Sequence, residues 1–221
     1  MNVNYLNLLR TVFLSVTFVF ASAMAQSDEF RDGKDYIVLD PPLPTRAPEG
    51  KIEVIEFFNF SCPHCNRFQT PMKIWHKNAD TSDVELIRQP VYFESHKGHY
   101  SRIFHTLAAM KIDDKYYSRI YDAIHKKRVL LNSASRFAGW LENNGEDGEK
   151  AIKIYNSFTV NTKIKRDRKT ADDYGVSSTP HIAVAGKYVI KPGLSGTMVN
   201  MVQIMEALIE RERAAMTAGG Q

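Results

Sequence analysis

Cysteine is almost missing from this chain: its 221 residues hold two, Cys62 and Cys65. So low a count excludes a disulfide-stapled framework and leaves no four-cysteine zinc site to build. Charge of one sign is scarce as well. Lys and Arg exceed Asp and Glu by 29 to 25, a formal net charge of +4, which argues against a dedicated nucleic-acid binder. The basic run at 163–169 is the local exception and has the pattern of a solvated helix face. Internal repeats and low-complexity tracts are absent. A bilayer-spanning run is missing too, because the uncharged stretch 11–25 falls short of the roughly 20 residues such a helix needs.

That stretch instead has the features of a secretory signal. Residues 6–20 are mostly apolar, Arg10 is the sole charge before or within them, and Ala23-Met24-Ala25 gives a small-x-small cleavage signature. Cleavage is expected between Ala25 and Gln26. No cysteine follows the apolar run, so a lipid-anchored form is not indicated. Loss of this segment removes one charge, that of Arg10, and leaves ample chain for one core. Export implies an oxidising compartment, where a cysteine pair is able to exist as a disulfide.

The pair itself is Cys62-Pro63-His64-Cys65, directly after the apolar, β-prone run 52–60. A CxxC between a strand and a helix is the layout of a thioredoxin-type redox site. At a helix N-terminus the Cys62 sulfur faces unsatisfied N–H groups and the positive end of the helix dipole. Both favour thiolate, so its pKa is expected well below the free value of about 8.5. Cys65 lies one turn further in, more buried and less ionised, yet close enough to attack a mixed disulfide at Cys62. Pro63 has no N–H to lose and suits the first helical turn. His64 is expected to stabilise the sulfur anion as a partial cation or N–H donor. A stable thiolate makes an easily reduced, oxidising disulfide. Three other readings compete. A structural bridge closing so short a loop removes little unfolded-state entropy. Half of a zinc site would need histidines, and His96-x-x-His99 carries Gly98 between them. Inert thiols are the third.

Along the chain, element types alternate. Residues 36–39 and 51–58 have strand patterns, 62–78 a helix that Pro71 is expected to kink, and 84–93 a strand parallel to the previous one if that helix is a crossover. Helical periodicity follows at 99–110, 114–126, 133–143, 148–156 and 160–174. Residues 181–185 and 187–190 flank Gly186 as a hairpin, and 197–216 form a last helix whose methionines are expected to fill the core. The fold class is α/β, a thioredoxin fold with a helical insertion. The corresponding boundaries are a signal segment 1–25, an N-terminal thioredoxin-fold part 26–96, the insertion 97–158 and a C-terminal part 159–221.

Asp32-Gly33-Lys34-Asp35-Tyr36, the stretch from Glu56 through Cys65, and Gly186-Lys187-Tyr188 together resemble the DsbA family of periplasmic thiol oxidases. The resemblance implies that Cys62 is the attacking, solvent-exposed thiol and Cys65 its buried partner, with His64 tuning the potential. It implies that Thr179-Pro180 is the cis-proline loop against the active-site sulfurs, presenting the Thr179 backbone to an extended substrate segment. Glu56 matches a buried acid that assists proton transfer for the buried cysteine; by burial statistics alone, a solvent-facing strand carboxylate is equally expected. It further implies reduced exported proteins as substrates, reoxidation by a DsbB-like quinone-linked membrane oxidase, a periplasmic location, a soluble monomer, and no cofactor or metal.

Two positions depart from the family pattern. Gln69 stands where the best-known members have a second acid, which puts a two-carboxylate relay in doubt. Thr179 stands where some members have Val. His181 is expected to be a strand residue rather than a catalytic one. An isomerase on the same fold would usually add an N-terminal dimerisation domain, for which residues 26–50 are too few. A periplasmic chaperone, or a copper or zinc module using Cys62, Cys65 and a histidine, is the rival from another class.

Overall fold

A computed structural model describes residues 30–219, of which one compact unit begins at Asp32. The expected signal segment lies outside the described residues. Strand β2 (Ile52–Phe58) is the spine: all seven of its residues are buried. Such burial follows from its position, because β3 (Val84–Pro90) pairs with it in parallel on one side and β4 (His181–Val184) antiparallel on the other. The short β1 (Ile37–Val38) and β5 (Tyr188–Ile190) complete the order β1-β5-β4-β2-β3. Residues 91–93, expected to extend β3, fall outside the strand, although the Val91 amide still donates to the Phe58 carbonyl at 2.8 Å. Parallel pairing of β2 and β3 requires a crossover, and helix α1 (Pro63–Asn78) supplies it, continuing through Pro71.

Between β3 and the C-terminal strands lie α2 (His99–Ala109), α3 (Asp113–Tyr121), a π-helical turn at Asp122–Lys126, α4 (Ala134–Glu142), α5 (Gly148–Tyr155) and α6 (Phe158–Asp173). Ser133, Asp147 and Ser157 cap α4, α5 and α6 with side-chain oxygens on the N3 amides. A short α7 (Pro192–Ser195), absent from the periodicity reading, precedes α8 (Met198–Gly219). Helix α8 packs on α1, β4 and β5. Its Met201 and Met205 are fully buried, whereas Met216 is half exposed.

Alternation along β2 divides the core. Ile55 and Phe57 face Ala171 and Tyr174 at the end of α6, with Ala183 and Val189. Phe58 faces the other way and joins Phe60, Cys65, and the insertion residues Ile103, Phe104, Leu107, Tyr117 and Tyr121 in one cluster. The insertion therefore has no separate core; its apolar interior runs straight into the segment that carries the cysteines. Its aromatic members meet edge to face, Phe58 with Phe104 at 5.2 Å and with Tyr117 at 5.0 Å.

The opposite face of the sheet carries a buried polar chain. In the basic run at 163–169 the cationic residues lie toward solvent, but Ile164 and Asp167 turn inward. Asp167 accepts from His105 Nε2 and from Gln89 Nε2, both at 2.7 Å, and Arg46 donates to Gln89 Oε1 at 3.1 Å. α2, α6, β3 and the segment before β2 are thus joined through one carboxylate. Asp167→Ala is expected to destabilise the fold by about 2–4 kcal/mol, because two buried donors lose their acceptor. Denaturant unfolding measures this, and a change within about 0.5 kcal/mol would mean the donors find other partners.

Candidate active site

The turn from β2 into α1 is built around Asn59. Its Nδ2 donates to the Val91 carbonyl at 3.0 Å, and its Oδ1 accepts from the Ser61 amide at 2.9 Å and hydroxyl at 2.7 Å. The Cys62 amide donates to the Asn59 carbonyl at 3.0 Å. The insertion holds the same turn from the far side: Tyr121 Oη donates to the Asn59 carbonyl at 3.3 Å, and His125 Nε2 to the Phe60 carbonyl at 2.8 Å. Cys62 arrives at the N-cap of α1 with extended backbone, and Pro63 opens the first turn. Its sulfur takes the role that a serine or aspartate oxygen has at an ordinary cap, accepting from the Cys65 amide at 3.4 Å.

Both cysteines are free thiols here, and their surroundings pull them apart. Cys62 is half-buried, and its pKa is brought down to about 5. The largest cause is the Cys65 thiol donating to its sulfur; burial opposes this, and the Thr179 hydroxyl and the amides of Cys65 and His64 add to it. Cys65 is fully buried, and burial first, then the neighbouring sulfur, hold its thiol well above the ordinary range. One group of the pair is ready to ionise and the other is not.

The other sequence-derived residues are placed as follows. The His64 imidazole is exposed and points along the helix, its Nδ1 3.0 Å from Arg67 Nη2. Arginine has only donors, so Nδ1 accepts. What His64 brings to the sulfur is its backbone N–H. Thr179-Pro180 is a cis peptide bond, and the Cys62 thiol donates to the Thr179 carbonyl at 3.3 Å. The Thr179 hydroxyl acts on both sulfurs, favouring the anion at each. His181 is the first residue of β4, with Nδ1 2.9 Å from the Pro180 carbonyl. His99 is buried, its ring nitrogens against Tyr155 Oη at 2.6 Å and the Leu131 carbonyl at 2.7 Å. Among the described residues no group of three or more His, Cys, Asp or Glu is arranged to hold a metal ion.

Glu56 lies on the central strand, 3% exposed. Tyr117 Oη donates to its Oε1 at 3.2 Å, and Arg88 stands opposite it in the β2–β3 register. Burial raises the Glu56 pKa, while Arg88 and Tyr117 pull it back. Sequence reasoning missed Arg88, Tyr117, Tyr121 and His125. The spacing of Tyr117, Ile120, Tyr121 and Ile124 showed an inward face, but no periodicity tells which backbone or carboxyl oxygen a phenol will meet.

In the reduced protein, the rate of iodoacetamide alkylation at Cys62 should titrate with a midpoint of about pH 5. Thr179→Val should raise that midpoint by about 0.5–1 unit, the size of one hydrogen bond worth about 1 kcal/mol. An unmoved midpoint would show that the hydroxyl does not act on the sulfur.

Comparison with known proteins places this geometry. The family model described as Thioredoxin matches residues 47–203. The thiol:disulfide interchange protein DsbA of Pseudomonas aeruginosa is 34% identical over 209 residues, covering 95% of this chain and 98% of that protein. The DsbA of Burkholderia cepacia is 32% identical, covering 92% and 96%. The crystal structure of Pseudomonas aeruginosa DsbA superposes with a TM-score of 0.79 at 33% identity, covering 86% of this chain and 98% of that one. A thiolate-favouring cysteine at a helix cap, a buried partner one turn later and a cis-proline loop against the first sulfur thus occur in a chain matched over nearly its whole length, and the chain belongs to the DsbA family of thioredoxin-fold thiol:disulfide interchange proteins.

Proposed function

We propose that this protein is a protein dithiol oxidase that donates a Cys62–Cys65 disulfide to exported substrate proteins. The observation that carries the reading is the split between the two thiols, Cys62 brought down to about 5 and Cys65 held well up. A substrate thiolate attacks the Cys62 sulfur, the intramolecular bond breaks, and Cys65 leaves. A second substrate thiolate then attacks the substrate sulfur of the mixed disulfide. Cys62 departs as a thiolate that the α1 cap and the Cys65 thiol stabilise, which drives the exchange toward oxidised substrate. Pro63 shapes the first turn, and His64 contributes an amide. The Thr179-Pro180 loop offers a backbone carbonyl beside Cys62, suited to an extended substrate segment.

The cycle needs a reoxidant, and a DsbB-like quinone-linked membrane oxidase is the one this reading calls for. The periplasm is the compartment that suits such chemistry, with export directed by residues 1–25. The family relationship supports both. No described helix is long and apolar enough to cross a membrane. We take residues 97–158 as the helical insertion between thioredoxin-fold parts 26–96 and 159–221, a division supported by α2 to α5 lying between β3 and α6.

Equilibration with a glutathione redox buffer tests the function. A potential close to the about −120 mV of DsbA is expected; one near the about −270 mV of thioredoxin would replace the oxidase reading with a reductase. Stability gives a second check. Cys62 has its folded-state pKa depressed, so its stabilisation of the reduced form is complete above the unfolded value of about 8.5 and is lost as pH falls through about 5. The reduced protein should therefore melt above the oxidised one at pH 7, with the gap closing between pH 7 and pH 4. A gap independent of pH would remove the thiolate from the account.

A further inference from the structure

The start of α1 carries a charge pattern that helix stability does not explain. Helix starts gather Asp and Glu, because their unpaired amides favour negative charge. α1 has no acid in its first turn, and its first charged residue is the cation Arg67. Arg67 is exposed and reaches back one turn, placing Nη2 3.0 Å from His64 Nδ1. Helical side chains tilt toward the N-terminus, so this contact brings the guanidinium to the Cys62 end of α1. It has no carboxylate partner among the described residues. Because Nδ1 accepts from arginine, the proton of the neutral His64 ring stands on Nε2, on an exposed side chain.

Neighbouring elements add cations here. α1 packs against the π-helical turn, where Asp122 is held by Lys126 at 2.7 Å. Lys127 and Arg128, next in the chain, are exposed and have no ion pair among the described residues. The loop 176–180, which meets the Cys62 sulfur at Thr179, carries no charge. In the disulfide form, the one that meets a substrate, the Cys62 sulfur is neutral. In the reduced form it is a thiolate near neutral pH, with a pKa of about 5.

We propose that Arg67, together with the Nε2–H of His64, recognises a carboxylate and so selects substrates with an acidic side chain beside the attacking cysteine. The inference rests on the oxidase reading of the same site. A guanidinium and an imidazole N–H offer donors to both oxygens of one carboxylate, and arginine suits that fork geometry. Arg67 is not among the main groups that set the acidity of Cys62, so its charge is left for what flanks the incoming thiolate. Turnover changes the charge at this rim. The pair gains two electrons and, near neutral pH, one proton at Cys65, so Cys62 is left as an anion. An acidic segment is therefore drawn to the oxidised protein and held less well by the reduced one, which favours release of the oxidised substrate.

The experiment is single-turnover oxidation, by the full oxidised protein, of two dithiol peptides that differ only in Glu or Lys beside the attacking cysteine. Each rate is divided by that peptide's rate with hydroxyethyl disulfide, a neutral disulfide, which removes the neighbour's effect on the thiol itself. Both peptides meet the same Cys62–Cys65 bond, so its potential cancels from their ratio. Wild type should favour the Glu peptide about two- to fivefold at low salt, the size of an exposed ion pair. The preference should fade at about 1 M salt, where the screening length is about 3 Å. Arg67→Gln should abolish it and Arg67→Glu should invert it. No preference in wild type, or one that Arg67→Gln leaves intact, would overturn the proposal. The same peptides with serine for both cysteines, titrated by NMR, read recognition without chemistry. The Glu peptide should bind oxidised wild type more tightly than the Lys peptide does, and more tightly than it binds the reduced protein; equal affinities would overturn the proposal. If neither dithiol peptide is oxidised while that binding preference holds, the oxidase reading falls and the recognition of the carboxylate stands.

Discussion

The placement of two cysteines one helical turn apart, Cys62 at the cap of α1 and Cys65 fully buried, is the constraint on which the rest of this molecule depends. It has two requirements. Cys62 must stand at the end of a helix, where amides converge and solvent still reaches it, and Cys65 must stand one turn in, where water does not. Identical side chains then differ because desolvation penalises an anion at one position, while donors collect around the other. Much of the architecture around the pair meets those conditions. The Asn59 turn sets where α1 begins, Pro63 shapes its first turn, and the Thr179-Pro180 loop closes the open side of the sulfur.

Burial of Cys65 comes from the insertion as much as from the thioredoxin half. Phe104, Tyr117 and Tyr121 pack against Phe58 and Phe60 in the cluster that encloses the thiol. Two insertion side chains, Tyr121 and His125, also hold the carbonyls of Asn59 and Phe60 just ahead of Cys62. His125 lies in the π-helical turn, and its ring stacks on that of Tyr121 at 5.9 Å. The helices between β3 and β4 are thus part of the redox site, supplying both its apolar wall and its hydrogen-bond donors.

Two acids in the central strand show how a polar group survives in such surroundings. Glu53 faces the α6 side and accepts from the Arg46 amide at 2.7 Å. Glu56 faces α1, with Tyr117 as its donor and Arg88 alongside. Adjacent turns of the strand's two-residue period send them to opposite faces, so they answer to different partners. A carboxyl buried in the spine of a sheet costs stability unless it is satisfied. Glu53 is held by Arg46 from the segment before β2 and Glu56 by Tyr117 of α3, which ties the position of β2 to the chain on either side.

The sequence by itself determined the element types and the redox chemistry. Cys62 and Cys65 could be recognised because a strand-CPHC-helix order is local, and amides at a helix start act on whatever side chain sits there. Strands 52–58 and 84–90 and the insertion helices could be read from periodicity, which depends only on near neighbours. Tertiary structure decided everything that rests on meeting a distant group. Glu56 was evenly balanced between solvent and interior until β3 and β4 closed over both sides of its strand. Asp167, set in a basic run, could have been surface charge; His105 and Gln89 made it a buried junction. The reach of His64 was resolved in the same way, since Arg67 one turn later turns its ring outward and leaves the backbone amide at the sulfur. The hydroxyls of Tyr117 and Tyr121 and the carbonyl of Thr179 carry no local signal, because a hydrogen bond is defined by its partner, and theirs lie 61, 62 and 117 residues away along the chain.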